Sequence, residues 1–353
     1  MSLEERLKAR IRQDGPMTVA DYMAACLFDP KDGYYAVRPR LGAQGDFVTA
    51  PLISQMFGEL LGLWSLEVWR RLGEPERFRW VEVGPGDGTL MEDALRAVRL
   101  APAFLQAAEL VLVEPSRPLR EVQARRLAGA DLTPLWVSDL TGVENDLPVV
   151  LIANEVLDCL PARQFVRTAD GWAERAVGLD AEERLAFGLA PGAPPPGLAA
   201  AIGEIIEVSP AQAGFGAALG ELVGSATGAA LLIDYGRARP EPGDTLQGLR
   251  RHAKVSPLEA PGHVDLTVWA DFPSVLSAAL GKADVTGVVP QGAFLQRLGL
   301  DVRIEALVRS NPDREAMLRR QAARLTDADQ MGELFKAAAV FSPKRLQVPG
   351  FER

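Results

Sequence analysis

The stretch "RWVEVGPGDGTLMEDALR", residues 79–96, sets Gly84, Gly86 and Gly88 within five positions, behind an apolar run and ahead of helix-forming residues. Strand, glycine turn and helix in that order make a βα unit, which in open sheets binds ligands at the strand end. Two phosphate-binding versions of the turn fail on spacing. The dinucleotide fingerprint needs a further small residue at position 89, where Thr89 stands. The nucleoside triphosphate loop needs Lys followed by Ser or Thr after its last glycine, and that pair is absent. Pro85 also removes one N–H from a turn that would otherwise cradle phosphate oxygens.

Outward from this turn, short apolar runs alternate with helical segments. Strands are expected at 79–84, 109–115, 134–140, 148–158 and 228–236, with helices at 89–99 and 116–127. Continuous apolar strands between helices point to a buried parallel sheet covered on both faces. Upstream, helices are expected at 3–12 and 18–28, with Thr18 as N-cap, and a longer core helix at 52–72. The fourth and fifth strands are about seventy residues apart, too many for one crossover. That gap contains a hairpin turning at Asp170–Gly171 and a surface linker at 190–197. A polar, loop-rich segment follows the fifth strand and reads as a substrate-facing lid, and residues 334–343 read as a last strand. The fold class is therefore α/β, a Rossmann-like sheet with an N-terminal helical segment and insertions after strands four and five. The expected divisions are residues 1–75 and 76–353, with insertions at about 166–228 and 237–285.

The bulk properties exclude several functions. The chain has 353 residues, 48% of them apolar, enough to bury a sizeable core. A net charge of −9 argues against a nucleic-acid partner, which needs a basic surface. Cys26 and Cys159 are too few for a disulfide framework, and with His252 and His263 they form no metal-ligand set. The N-terminus carries acids and no apolar leader, and no run is long enough to span a bilayer. The expectation is a soluble protein of the bacterial cytoplasm, or of the mitochondrial matrix in a eukaryote.

The turn from Glu82 to Gly88 resembles E-x-G-x-G-x-G, motif I of class I S-adenosylmethionine-dependent methyltransferases. Glycines without a Cβ let the backbone pass close to the methionyl and ribose part of that cofactor. Glu82 can accept from its ammonium, and the helix starting near Thr89 faces its carboxylate with free N–H groups. Glu114 ends the second strand, where such folds accept both ribose hydroxyls. Asp139 ends the third, where a side chain often bonds the adenine amino group. A segment further upstream, "GDFVTAP" (45–51), is expected to fold over the cofactor with Asp46 and Thr49 as hydrogen-bonding groups, or to cap the following helix ahead of Pro51.

Longer blocks are similar to the MidA family: 45–62, 81–96, 152–165, 231–236, 244–272 and 291–299. That resemblance covers most of the chain. It implies S-adenosylmethionine as cofactor and methylation of an arginine on a protein, a complex I core subunit in mitochondrial members. Val156 and Leu157 depart from the aromatic residues expected there, and Trp269 stands where a histidine is common. On this reading "ANEVLD" supplies the acceptor side: Glu155 as main carboxylate clamp, Asp158 second, Asn154 near the transferring methyl. Asp158 also reads as an N-cap or first-turn acid. His252, with Arg250, Arg251 and Lys254, lies in the lid as a further catalytic candidate or as a solvated surface residue. Asp234 and Tyr235 end the fifth strand and border the pocket or form a strand-end turn. A small-molecule methyltransferase and an assembly chaperone without turnover stand as alternatives. A nicotinamide dehydrogenase is disfavoured by Thr89 and by the thirty residues from Gly84 to Glu114.

Overall fold

The computed structural model describes residues 1–37, 49–195 and 197–352. Two helices open the chain, α1 (Leu3–Asp14) and α2 (Val19–Phe28). Ser2 and Glu5 cap α1 reciprocally, and Thr18 accepts from the Asp21 N–H at the start of α2. The helix expected over 52–72 is divided. Ser54 is extended (φ −158°, ψ 134°) and separates one turn, Ala50–Ile53, from α3 (Gln55–Arg71). The Ser54 hydroxyl accepts from the Met56 N–H, so the break carries its own cap.

The strands that follow are β1 (Phe78–Val83), β2 (Ala108–Val113), β3 (Leu135–Val137), β4 (Val149–Asn154), β5 (Arg163–Thr168), β6 (Gly171–Leu179), β7 (Leu185–Pro191), β8 (Ile205–Val208), β9 (Gly228–Arg237), β10 (Gln247–Arg250), β11 (Ala253–Val255), β12 (Asp265–Thr267) and β13 (Phe335–Ser342). Among them run α4 (Thr89–Val98), α5 (Arg117–Arg126), α6 (Pro210–Ala226) and α7 (Phe272–Ala279). The central sheet contains the run β13-β9-β4-β1-β2-β3, parallel except for β13, which runs antiparallel beside β9; short strands Asp284–Val285 and Val289–Pro290 pair with β13, and Ala270–Asp271 pairs with β9.

Alternate residues of these strands enter opposite cores, as a period of two requires. Trp80, Leu110, Leu112, Val150 and Ile152 pack with Phe57 and Leu61 of α3 and Leu90 and Met91 of α4. Val81, Val83, Val111, Val113 and Leu151 pack with Leu219 and Val223 of α6 and Val275 and Leu276 of α7. Both faces being apolar is what made the strands read as unbroken hydrophobic runs.

The insertion between β4 and β9 is an antiparallel sheet of β5 to β8, turning at Asp170–Gly171 as expected. Met17–Thr18 pairs with Ala176 and Val177 of β6. Leu7 of α1 and Tyr22 and Met23 of α2 bury against Val177, Leu266 and Val268. The start of 190–197 is not a linker, because β7 runs to Pro191. The segment after β9 is more ordered than its composition suggests, with β10, β11 and β12 forming a small antiparallel sheet.

Candidate active site

The register of the parallel strands brings their C-terminal ends to one edge. Val83 lies opposite Val113 and Ala153, Val113 opposite Val137, and Asn154 opposite Ile233. Glu82, Glu114, Asn154, Glu155 and Asp234 all stand at that edge.

Gly84, Gly86 and Gly88 have φ of 62°, 57° and 84°. Three left-handed residues in so short a turn are strained for any residue with a Cβ. The Gly84 N–H donates to the Val113 carbonyl at 3.0 Å, which ties the turn to β2. Asp87 Oδ1 accepts from the Thr89 N–H (3.1 Å) and hydroxyl (2.7 Å), and Asp87 Oδ2 pairs with Arg126 at 2.8 Å. Beneath the turn Glu82 is 2% exposed, and its Oε2 has no partner among the described residues. Burial, with the charge of Asp87, pushes its carboxyl up to about 8. A buried carboxylate oxygen without a donor calls for a cationic N–H group. The ammonium of S-adenosylmethionine meets that need, and the N-terminus of α4 suits its carboxylate.

Glu114 is also buried. Its Oε1 accepts from the Ser116 N–H (2.8 Å) and its Oε2 from Gln123 Nε2 (3.3 Å), while burial raises its carboxyl above the ordinary range. Gln123 is a residue that sequence reasoning missed. Fully buried, it donates to the Gly86 carbonyl at 2.9 Å and accepts from Trp136 Nε1 at 2.8 Å, joining turn, acid and β3. The available signal was its place four residues after Leu119, on the inward stripe of α5.

The side expected to take the acceptor begins where β4 ends. Glu155 has φ 53°, a rare conformation for a residue with a side chain, and such strain gathers at functional sites. Its Oε1 accepts from Asn154 Nδ2 and from the Ala50 N–H, each at 3.1 Å. Burial and the nearby Asp158 push its carboxyl up to about 8. Asn154 Oδ1 is buried without a partner among the described residues. Asp158 is buried and accepts from the Tyr235 hydroxyl at 2.7 Å; burial raises it to about 6. It begins no helix, since residues 157–160 form a turn. A Cβ on Gly84 would lie 3.1 Å from Val156 Cγ2, so the glycine turn and the acceptor loop adjoin.

Asp139 stands at the same edge, two residues past the end of β3. It is exposed and caps a single turn, accepting from the Thr141 N–H at 2.9 Å, which lowers its carboxyl. Thr49 precedes the Ala50–Ile53 turn but makes no side-chain cap bond to it. Asp46 lies outside the described residues. His252 is exposed at the tip of the β10–β11 hairpin, the solvated place that was one of its two expected readings, where it and Arg251 take the left-handed backbone of a tight turn. None of the hydrogen bonds of the acid cluster reaches it. A cleft of about 460 Å³ lined by Ser54, Gln55, Asp87, Thr89 and Arg126 abuts the outer side of the turn and leaves Glu82 and Glu114 out of its lining.

Known proteins match this arrangement along the whole chain. A family profile for S-adenosyl-L-methionine-dependent methyltransferases matches residues 60–290. The rat protein named protein arginine methyltransferase NDUFAF7, mitochondrial, is 36% identical over 97% of this chain and 85% of its own length. The Drosophila melanogaster homologue of that name is 33% identical over 96% and 85%. A COG1565 superfamily protein from Burkholderia thailandensis, solved with S-adenosyl-homocysteine, superposes with TM-score 0.83 at 27% identity, covering 99% of this chain and 92% of that one. With the acid-bearing glycine turn, the second strand-end acid and this match in hand, the chain belongs to the S-adenosyl-L-methionine-dependent methyltransferase family.

Proposed function

We propose that this enzyme transfers a methyl group from S-adenosylmethionine to an arginine side chain of a protein. The observation that carries the reading is the adjacency of two unlike sites: a glycine turn over the buried Glu82, and a strained loop offering Asn154, Glu155 and Asp158. The relatives named protein arginine methyltransferase support the acceptor class. The resemblance to the MidA family read in the sequence adds the finer proposal that this arginine belongs to a respiratory complex I subunit.

In this reading Glu82 holds the cofactor's ammonium, Glu114 its ribose, and Gln123 fixes Glu114 against the turn. When bound, S-adenosylmethionine supplies a methyl group on a sulfonium, and the C–S electron pair leaves with sulfur. Glu155 and Asp158 align the acceptor guanidinium and offset its charge, which is retained in the product. One N–H bond of the acceptor breaks as the N–C bond forms. Glu155 is raised to about 8 in the free enzyme; a guanidinium beside it favours the ionised form, and in that form it is placed to take the proton.

Calorimetric titration tests the cofactor half. Wild type is expected to bind S-adenosylmethionine and not NADH, and Glu114→Ala to lose about 1–3 kcal/mol of that binding. Radiolabelled methyl transfer, read as methylarginine after hydrolysis, tests the acceptor half. Folded protein that binds cofactor but transfers nothing to protein arginine refutes this reading and favours an assembly chaperone.

A further inference from the structure

Two consecutive residues of β9 grip the acceptor loop from opposite faces of the sheet. Asp234, fully buried, accepts from the N–H groups of Leu157 (2.9 Å) and Asp158 (3.2 Å), which fixes the loop backbone. Tyr235, 2% exposed, donates its hydroxyl to Asp158 Oδ2 at 2.7 Å, which fixes the side chain. The Tyr235 ring packs on Phe335 of β13 with centroids 5.3 Å apart, so the sheet and not the loop sets the hydroxyl's place. On the far side, the Val268 N–H donates to the Asp158 carbonyl at 2.9 Å.

The groups facing Asp158 are mostly acidic. Glu155 shares its loop, Asp234 comes from β9, and the Cys159 thiol is next in the chain. Asp265 of β12 accepts from the Tyr35 hydroxyl at 3.4 Å, and that hydroxyl feels the charges of both Asp158 and Asp265. No arginine or lysine among the described residues acts on Glu155, Asp158 or Asp234. Such a cluster tends to take up protons, and a protonated Asp158 has no charge to offer a guanidinium. The Tyr235 hydroxyl, first in effect, and the N–H groups of Cys159 and of Asp158 itself are the donors that oppose this. Asn154, 9% exposed, adds an acceptor oxygen with no donor among the described residues, so the loop is built toward a donor-rich cation.

We propose that Tyr235 is a positioning residue that holds Asp158 as an oriented carboxylate, while Asp234 holds the backbone beneath it, presetting the loop for a guanidinium. The inference rests on the acceptor role given above to Glu155 and Asp158.

The test is a carboxyl-carbon NMR titration of protein labelled at aspartate, with Asp158→Asn to assign the signal. Tyr235→Phe is expected to raise the Asp158 midpoint by about one pH unit, since a donor to the charged form is lost. An unchanged or lowered midpoint overturns the proposal. Incorporating 3,5-difluorotyrosine at position 235 keeps the ring and strengthens the donor, and should move the midpoint the other way. This serves if the phenylalanine variant fails to fold. With S-adenosyl-homocysteine present, Tyr235→Phe should bind N-acetyl-arginine amide about fivefold more weakly near pH 6, tracking that shift. Affinity for S-adenosyl-homocysteine should stay within about twofold, because Tyr235 touches neither Glu82 nor Glu114. Wild type that binds S-adenosyl-homocysteine but not the arginine probe sinks the arginine reading alone. The titration still decides the Tyr235–Asp158 link.

Discussion

Glu82 and Glu155 are both carboxyl groups pushed up to about 8, but in the proposed reaction they serve different partners. Glu82 lies under the glycine turn, and a cofactor ammonium beside it favours the ionised form. At pH 7 the free enzyme holds Glu82 largely protonated, so cofactor binding drives that proton off. Affinity should therefore rise with pH up to about 8, where the cofactor's own amino group begins to lose its charge. Calorimetry at pH 7 in buffers of different ionisation enthalpy should report proton release in wild type. Release should vanish in Glu82→Gln, with binding weakened by about 1–3 kcal/mol. Equal release in both proteins would remove Glu82 from the cofactor site. At this scale Glu82, Glu114 and Glu155 were legible because each stands at or just past the end of an apolar strand. Gln123 was not, because a glutamine in a charged helix looks solvated until the neighbouring turn is placed against it.

Elements meet at distances that side-chain types alone do not announce. Gly216, Gly220 and Gly224 recur every four residues along α6 and face α7 and the turn after it. A Cβ on Gly216 would lie 2.1 Å from the Val275 carbonyl oxygen, and one on Gly220 would lie 2.7 Å from that of Ala279. The backbones of α6 and α7 therefore touch, and no rotamer change relieves an added methyl. Gly216→Ala is expected to destabilise the fold by about 1–3 kcal/mol, read as a lower urea midpoint at unchanged slope. A midpoint equal to or above wild type would show that α6 can move away. In sequence these glycines weaken a helix by propensity, and only the partner helix reveals their use.

Across the whole molecule one buried polar network joins the inserted sheet to the acceptor side. Glu207 of β8 accepts from Arg237 at the end of β9 (2.7 Å), from the Thr245 N–H (2.9 Å) and hydroxyl (2.6 Å), and from Gln164 of β5 (2.9 Å). The Thr245 hydroxyl oxygen in turn accepts from the Trp269 N–H at 2.8 Å, just past β12. Glu207→Leu strands Arg237, only 4% exposed, as a buried unpaired cation. Thermal unfolding should show a loss of about 3–5 kcal/mol. Cofactor affinity of the folded protein should remain within about twofold, since Glu82 stands on β1 and Glu114 just past β2. A large loss of cofactor binding at full stability would contradict this division of labour.

The sequence by itself determined the sheet, its both-sided burial and the cofactor turn, because these rest on local signals. Apolar runs, a hairpin turn and spaced glycines act through nearest neighbours along the chain. It also placed the acids at strand ends, since strand ends are where apolar runs stop. Only the tertiary structure decided which acids work together. Asp158 gained Tyr235 and Asp234 from a strand more than seventy residues away, whereas Asp139 capped its own turn and His252 rose to a hairpin tip. The break at Ser54 was likewise invisible, because a serine sits inside helices as well as at their caps, and here its hydroxyl caps α3. Pairings across such distances depend on how sheets and helices stack, and no window of sequence contains them.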